Sequence, residues 1–253
     1  MKTIGLLSGK GGVGKTTTAV NLAAGLTTLG KQSIVVDGNL TTPNVGLHLG
    51  SPANEISFHH VLKGKASIHD SVYRHPSGVY FIPGSLAVED MEKLKLSNFK
   101  SLKELKADFI IVDGAAGLGK EALATLEHCD ELLIVTNPEL PAMTDALKTI
   151  KIAEELGKDV KGIIVTRTKK DNFDVSLRNI EAMLERPVIA VIPEDPSLRE
   201  ALTLKESIIF THPNSHAARG YRKLAGVLCG KEVEDIKLSW IDKFFKIFQR
   251  KPQ

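Results

Sequence analysis

Short runs of consecutive apolar residues alternate along the chain with longer stretches in which apolar residues recur every three or four positions. Such a run predicts a strand buried on both faces, and the longer spacing predicts an amphipathic helix. We expect strands at 3–8, 33–37, 79–82, 108–113, 131–136, 162–166 and 188–192. We expect helices at 19–29, 141–156, 175–184, 196–204 and 214–229, short helical pieces at 55–75, and two helical stretches between 91 and 106.

This regular alternation of strands and helices predicts an α/β fold with a mostly parallel sheet and helices on both faces. A chain of 253 residues suits one sizeable domain of this kind. Ligands of such folds bind at the carboxyl ends of the strands, so polar residues at those ends are the first candidates for function.

Composition narrows the classes of function. Cys129 and Cys229 lie far apart with no C-x-x-C motif, which fits a reducing cytosol and argues against a zinc or iron–sulfur site. The adjacent His59 and His60 lack acidic or cysteine neighbours, so we expect them to be surface residues rather than metal ligands. Residues 237–253 carry +4 of the net charge of +3, so the other 236 residues sum to −1. This distribution does not support a broad basic face for DNA, and a local basic patch is the alternative. The N-terminus does not resemble a signal peptide, and no apolar run is long enough to span a membrane.

The segment 9–17 contains G-x-x-x-x-G-K-T, the phosphate-binding loop, between a predicted strand and a predicted helix. Glycine permits turns in which successive N–H groups face phosphate oxygens, and the helix N-terminus favours an anion. Lys15 is expected to reach the β- and γ-phosphates, and the Thr16 hydroxyl to bind Mg²⁺. The predicted nucleotide contacts are Gly11, Gly12, Val13, Gly14, Lys15, Thr16 and Thr17.

Two other predicted strands end in a carboxylate. Asp37 ends the strand 33–37, and Asp113 ends the strand 108–113, which has the form of a Walker B strand. We expect Asp37 and Asp113 to hold Mg²⁺ together with Thr16; a strand-end cap is the alternative for Asp113. The glycine-rich residues 114–119 are expected to be flexible.

The run K-G-G-V-G-K-T-T, residues 10–17, resembles the deviant loop of the MinD/ParA family of ATPases. The segments 41–50 and 113–118 are similar to the archaeal MinD branch of that family. The resemblance implies an ATPase domain at 1–229, switch segments after Asp37 and Asp113, and ATP with Mg²⁺ as ligands. It also implies that Lys10 reaches across a dimer interface to the partner's ATP. The candidate catalytic residues are Lys10, Lys15 and Asn39.

Position 39 departs from the family pattern. The family usually carries D-x-D after its second strand, where the second Asp orients the attacking water, whereas this chain has Asp37-Gly38-Asn39. An amide orients water but accepts a proton poorly. We therefore expect slow hydrolysis or a need for an activating partner.

The identity of the base rests on a weaker signal. Guanine-binding relatives carry T-K-x-D directly after a strand, and here those letters occur at 168–171, two residues beyond the predicted strand end at Thr166. We therefore favour ATP, with Pro193, Glu194 and Asp195 lining the base as in similar MinD-like proteins. Thr166 stands where that family usually has Asn.

The C-terminal segment has a composition of its own. After a linker at 230–237, the residues 238–250 place apolar and aromatic side chains on one half of a helical wheel and basic ones on the other. This pattern predicts a helix lying in the interface of an anionic membrane, and packing on the domain or on a partner is the alternative. The predicted membrane residues are Leu238, Trp240, Ile241, Phe244, Phe245, Ile247 and Phe248.

Together these features predict a cytoplasmic ATPase that dimerises on binding ATP, associates peripherally with the membrane, and is reset by hydrolysis. Such proteins position division or other cellular machinery, with a cargo or activating protein as partner. The alternatives are a DNA-associated partition ATPase of the ParA type and a nucleotide-gated scaffold that barely hydrolyses ATP.

Overall fold

The computed structural model describes residues 1–169 and 174–231, and within them it shows an eight-stranded sheet. The strands are β1 (Lys2–Ser8), β2 (Ser33–Gly38), β3 (Tyr73–Arg74), β4 (Tyr80–Ile82), β5 (Phe109–Ala116), β6 (Glu131–Thr136), β7 (Val160–Thr168) and β8 (Val188–Pro193). Their order across the sheet is β3-β4-β2-β5-β1-β6-β7-β8. Every neighbouring pair is parallel except β3 and β4.

Helices connect the parallel strands. They are α1 (Lys15–Thr28), α2 (Val45–His48), α3 (Phe58–Leu62), α4 (Lys120–His128), α5 (Leu140–Glu155), α6 (Leu177–Leu184), α7 (Ser197–Thr203), α8 (Ile208–Thr211) and α9 (His216–Leu228). Short 3-10 helices lie at His69–Ser71 and Val88–Asp90, and a longer one at Leu96–Glu104.

Apolar layers cover both faces of the sheet. Val35 of β2 packs in a layer that includes residues of α1, α8 and α9, while its neighbours Ile34 and Val36 pack in a second layer with residues of α3 to α6. Successive side chains of a strand point to opposite faces, so a strand covered on both faces needs an unbroken apolar run. The predicted α/β fold with a mostly parallel, doubly covered sheet is confirmed.

The prediction of two helical stretches between residues 91 and 106 is wrong. One helical stretch is present, the 3-10 helix Leu96–Glu104. Lys93 adopts a left-handed backbone with φ 58°, and Lys95 is extended with φ −96° and ψ 94°, so no helix forms at residues 91–95. Phe99, Leu102 and Leu105 are nevertheless buried.

Two strands extend at least two residues beyond their expected ends. β5 continues to Ala116 because it pairs on both sides, with Gly38 opposite Gly114 and Ser8 opposite Ala116, so only 117–119 of the expected flexible segment follow the strand. β7 continues to Thr168, two residues beyond the expected end. The strand end used above to argue against a guanine-binding motif is therefore wrong, and residues 170 and 171 of that motif lie outside the described part of the chain.

Candidate nucleotide-binding site

The glycine loop joins β1 to α1 at the carboxyl edge of the sheet. Gly12 and Gly14 have φ of 79° and 91°, a left-handed conformation that side chains disfavour. A Cβ on Gly9 would lie 2.2 Å from the carbonyl carbon of Asp145, so helix α5 also requires a glycine here. Loops of this conformation direct successive N–H groups into an anion-binding concavity. We call the cavity lined by most residues of 11–17, 39–44 and 115–121, together with His48 and Arg167, the phosphate recess.

Lys15 lies at the floor of the phosphate recess and is 8% exposed. Its Nζ donates to the Ser8 Oγ at 2.7 Å, and the Ser8 hydroxyl donates to the Lys10 carbonyl at 2.8 Å. Burial lowers the pKa of Lys15, and the nearby Asp113 carboxylate opposes that shift. The ammonium group therefore rests on a neutral hydroxyl, from which an anionic ligand can attract it.

Asp37 and Asp113 lie opposite each other on neighbouring strands β2 and β5. Asp113 Oδ2 accepts a hydrogen bond from the Thr16 hydroxyl at 2.5 Å, and its buried Oδ1 has no hydrogen-bond partner among the described residues. Burial raises the pKa of Asp113 to about 6, against opposing effects of Thr16 and Lys15. The structure thus brings together the expected pair of Thr16 and Asp113.

The Asp37 carboxylate is occupied by the loop that follows β2. Its Oδ2 accepts from the Asn44 and Val45 N–H groups at 2.8 and 2.9 Å, and its Oδ1 from Asn39 N–H at 3.3 Å. Burial and the Asp113 carboxylate raise the pKa of Asp37 well above its ordinary value, while these hydrogen bonds lower it. Asp37 therefore orders the loop beside the Thr16–Asp113 pair.

These side chains suit Mg²⁺, which prefers oxygen ligands and keeps several waters. The free Oδ1 of Asp113 and the Thr16 hydroxyl are hard oxygen donors. Thr16 lines the phosphate recess, and Asp113 is hydrogen-bonded to it. No cluster of three or more His, Cys, Asp or Glu with metal-binding spacing occurs in the described ranges. The arrangement thus fits an ion held partly by phosphate oxygens and water, not a closed protein site.

The loop after β2, residues 39–44, is held in place by a residue that the sequence did not indicate. Glu121, in the first turn of α4, accepts hydrogen bonds from the N–H groups of Leu40 and Thr41 at 2.9 and 3.3 Å, and from the Thr41 hydroxyl at 2.6 Å. The Asn39 amide is also engaged, because its Nδ2 donates to the Thr42 carbonyl at 2.7 Å. Asn39 lines the phosphate recess but is turned toward its own loop.

His59 corrects an expectation. We predicted a surface residue, but its exposure is 0%, since α3 packs it under the loop after β2. Its Nδ1 accepts from the Ser85 N–H at 3.0 Å, which leaves Nε2 to donate to the Leu40 carbonyl at 2.9 Å. Burial lowers the pKa of His59. The neutral ring therefore fixes the loop and binds no metal through either nitrogen in this arrangement.

A second cavity adjoins the phosphate recess, and we call it the base recess. It includes the predicted residues Pro193, Glu194 and Asp195. Asp195 accepts from the Ser197 and Ala217 N–H groups at 3.0 and 3.1 Å, so it also links α7 to α9. The hydroxyl of Thr166 donates to the Val13 carbonyl at 2.6 Å, which ties β7 to the glycine loop. Sequence offered no signal for this contact, because 153 residues separate its partners.

Two predicted features remain untested by the geometry. Lys10 is exposed at the start of the glycine loop, and the structure shows one chain only. The linker beyond residue 231 and the predicted membrane segment 238–250 lie outside the described residues. Within the described ranges, the helices are all too short or too polar to cross a membrane.

Comparisons with known proteins agree with this geometry. Residues 4–208 match the family model described as the CobQ/CobB/MinD/ParA nucleotide binding domain. An uncharacterised ATP-binding protein of Methanocaldococcus jannaschii is 37% identical over 250 residues, 96% of this chain and 95% of that protein.

Two solved structures are similar throughout their length. The cell division ATPase MinD of Pyrococcus furiosus has a TM-score of 0.87 and 34% identity, covering 90% of this chain and 98% of that one. The septum site-determining protein MinD of Pyrococcus horikoshii, complexed with Mg-ADP, has a TM-score of 0.86 and 34% identity, covering 95% and 98%.

Proposed function

Because the chain belongs to the CobQ/CobB/MinD/ParA nucleotide-binding family, we propose that it is a MinD-like ATPase that binds ATP with Mg²⁺ and pairs face to face in that state. The pair binds an anionic membrane through residues 238–250, and hydrolysis releases it. Such a cycle positions division or other cellular machinery. The predicted family and fold are confirmed; nucleotide-gated pairing and membrane binding are the proposal.

The observation that carries the proposal is the convergence of Lys15, Thr16 and Asp113 behind the glycine loop. The hydrogen bond that the buried Lys15 ammonium group donates among the described residues goes to the neutral Ser8 hydroxyl, so a triphosphate offers it a far stronger acceptor. Thr16 lines the recess in which the β- and γ-phosphates lie in such loops, and it donates a hydrogen bond to Asp113, whose other oxygen has no partner among the described residues. Bound Mg²⁺ neutralises phosphate charge there, and the chain supplies its orientation.

Exposure of Lys10 supports pairing, because a cation at the rim of the recess is available to a second copy. One short amphipathic helix binds a membrane weakly. Two helices in one dimer bind far more tightly through effective concentration, so pairing would control membrane residence.

Vesicle co-sedimentation tests the proposal. The full chain and a variant ending at residue 236 are mixed with anionic vesicles in Mg-ATP or Mg-ADP, with Lys15→Ala as the binding-deficient control. We expect sedimentation of the full chain in ATP alone. A chain that stays in the supernatant while it binds ATP refutes membrane association. Co-sedimentation with DNA in place of vesicles would establish the partition-type alternative.

Turnover tests the role of Asn39. We expect slow phosphate release from the wild type and faster release from Asn39→Asp, because the carboxylate no longer donates to the Thr42 carbonyl and can accept a proton from water. Asn44→Asp is the matched control, since the Nδ2 of Asn44 donates to the same carbonyl at 2.7 Å. Equal rates for the wild type and Asn39→Asp would contradict the assignment. No turnover in any variant would indicate a nucleotide-gated scaffold.

A further inference from the structure

The phosphate recess and the base recess meet where they share lining residues. Four residues line both of them: Gly14, Thr17, His48 and Arg167. A nucleotide with its triphosphate in one recess and its base in the other must pass between these residues. The part of a nucleotide at such a junction is the ribose with the α-phosphate. Neither His48 nor Arg167 belongs to the phosphate-binding motif.

Arg167 has an unusual backbone for its position. Its φ is 54°, and it lies inside strand β7, whereas Lys93, Glu185 and Lys205, the other described non-glycine residues with positive φ, lie in turns. The pairing of β7 with β8 shifts register between Thr166 and Thr168, as at a β-bulge. A side chain in this conformation is unfavourable, and such outliers concentrate at ligand sites.

Contacts on both sides hold the bulge. The Thr166 hydroxyl donates to the Val13 carbonyl of the glycine loop, and the Thr168 carbonyl accepts from the Glu194 N–H at 3.0 Å. One contact belongs to the phosphate side and the other to the base side. The backbone of Arg167 is therefore held between the glycine loop and Glu194 of the base recess.

The Arg167 guanidinium has no hydrogen bond or ion pair with any described residue, although the residue lines both recesses. Burial raises the pKa of Tyr221, in the base recess, to about 12, and the Arg167 charge opposes that rise. The guanidinium thus lies within electrostatic reach of the recess wall. An unpaired guanidinium is well suited to bind a phosphate through two parallel hydrogen bonds.

His48 is the second residue with a titratable side chain that lines both recesses. Its Nδ1 lies 3.0 Å from the Asn44 carbonyl, which can only accept, so Nδ1 carries the proton and Nε2 is an acceptor. Nε2 faces the Thr17 hydroxyl at 3.5 Å. A neutral ring here leaves Arg167 as the cation at the junction, with Lys15 deeper in the phosphate recess.

We infer that Arg167 binds the α-phosphate and the adjoining ribose edge of the nucleotide, opposite His48, and so sets affinity for the part common to ATP and ADP. The inference rests on the proposed function, since it concerns the same site. It assigns Arg167 a contact separate from those of Lys15, which reaches the β- and γ-phosphates.

Calorimetric titration with Mg-ATP and Mg-ADP tests this contact. We expect Arg167→Ala to lose about tenfold to a hundredfold in affinity for both nucleotides, by the same factor, as for a lost charged hydrogen bond. Arg167→Lys should lose less, because it keeps the charge. Arg178→Ala is the matched control, since Arg178 is exposed on α6 and lines neither recess. It should bind like the wild type.

Arg167→Gly separates ligand binding from a structural role. Glycine relieves the left-handed backbone, so the nucleotide-free variant should melt at or above the wild-type temperature while its ADP affinity falls. A fall in both quantities would mean that Arg167 only supports the fold, and would overturn the inference.

The remaining outcomes are equally decisive. Unchanged ADP affinity in Arg167→Ala overturns the inference, and a loss seen for ATP alone together with loss of pairing assigns Arg167 to the dimer contact instead. If Lys15→Ala loses binding while Arg167→Ala does not, the inference fails and the proposed function stands. If the wild type binds neither nucleotide, both fail.

Discussion

The carboxylates of Asp37 and Asp113 illustrate how a ligand site can oppose stability. Both are buried, they lie on adjacent strands, and burial raises the pKa of each. An ionised carboxylate in such a place destabilises the nucleotide-free fold. The negative charge serves ligand binding only when a cation is present. The site therefore lowers the stability of the nucleotide-free protein.

We therefore expect Asp113→Asn to stabilise the nucleotide-free, chelator-treated protein by about 1–3 kcal/mol near neutral pH. The carboxyl has a raised folded pKa of about 6, so the wild type loses stability as pH rises through that value. The difference between variant and wild type should accordingly shrink on acidification below about pH 6.

Urea denaturation of both proteins at about pH 5 and about pH 7.5 measures this difference. A variant that is less stable than the wild type at the higher pH, or a gap that widens on acidification, would show that the Asp113 charge is already compensated.

Gly9 and Gly11 provide a matched pair within the glycine loop. A Cβ at Gly9 would collide with the backbone of Asp145, whereas a Cβ at Gly11 has no heavy atom within 4 Å. Gly9→Ala should lower the free energy of unfolding by about 1–3 kcal/mol, since a backbone atom of α5 must move. Gly11→Ala should change it by less than about 0.5 kcal/mol. Equal losses in chemical denaturation would show that loop entropy, not the collision, determines the need for glycine.

At the level of single residues, sequence identified those whose function follows from spacing. Lys15 and Thr16 come from a motif, and Asp113 from an apolar run that ends in an acid. Glu121 and Arg167 could not be found in this way, because their positions at the site depend on which loops meet at the sheet edge. The prediction for His59 was wrong for the same reason. His59 is buried by the loop after β2, which is distant in sequence from α3 and so does not affect the apolar pattern around His59.

At the level of elements, patterns were reliable where both faces of a strand are buried. β1, β2, β5 and β6 are continuous apolar runs because helices cover them on both sides. The segment 91–106 is not a strand buried on both faces, so its pattern is less informative. The left-handed backbone of Lys93 could not be predicted, because lysine rarely adopts that conformation. The extra residues of β7 follow from a bulge, which local apolar pattern does not encode.

The contact between α4 and the loop after β2 predicts how that loop moves. Removing the carboxylate in Glu121→Ala leaves the Leu40 and Thr41 N–H groups without their partner. We expect their hydrogen exchange to accelerate about tenfold or more, since hydrogen bonds to charged groups stabilise by about 1.5–3 kcal/mol.

Exchange measured by mass spectrometry on a peptide covering 39–44 reports this change. Glu127→Ala is the control, because Glu127 is exposed on the same helix and lies outside the phosphate recess. If the peptide exchanges equally in the wild type and in Glu121→Ala, the loop is held by Asp37 and His59 alone.

At the level of the whole molecule, strand order accounts for the site. β1 lies between β5 and β6, and β2 lies beyond β5, so the chain reverses its direction of travel across the sheet at β1. Loops that follow the central strands therefore meet at one edge, at the switch point typical of such sheets. Sequence predicted this class of fold but not β3, whose two residues pair antiparallel to β4 at the sheet edge and form no periodic pattern.

The whole-molecule role of Lys10 can be separated from nucleotide binding. Two copies that meet across their phosphate recesses bring two triphosphates together, and a lysine from each copy reduces that repulsion. Since Lys10 is exposed and its carbonyl, not its ammonium group, bonds Ser8, Lys10→Ala should fold and bind ADP like the wild type. It should nevertheless remain monomeric in Mg-ATP, as measured by light scattering coupled to size exclusion.

Lys65→Ala is the control, because Lys65 is an exposed lysine after α3 that lines neither recess, and this variant should pair normally. Pairing by Lys10→Ala would place the cross-dimer contact elsewhere on the rim, whereas weakened ADP binding would place Lys10 on its own nucleotide.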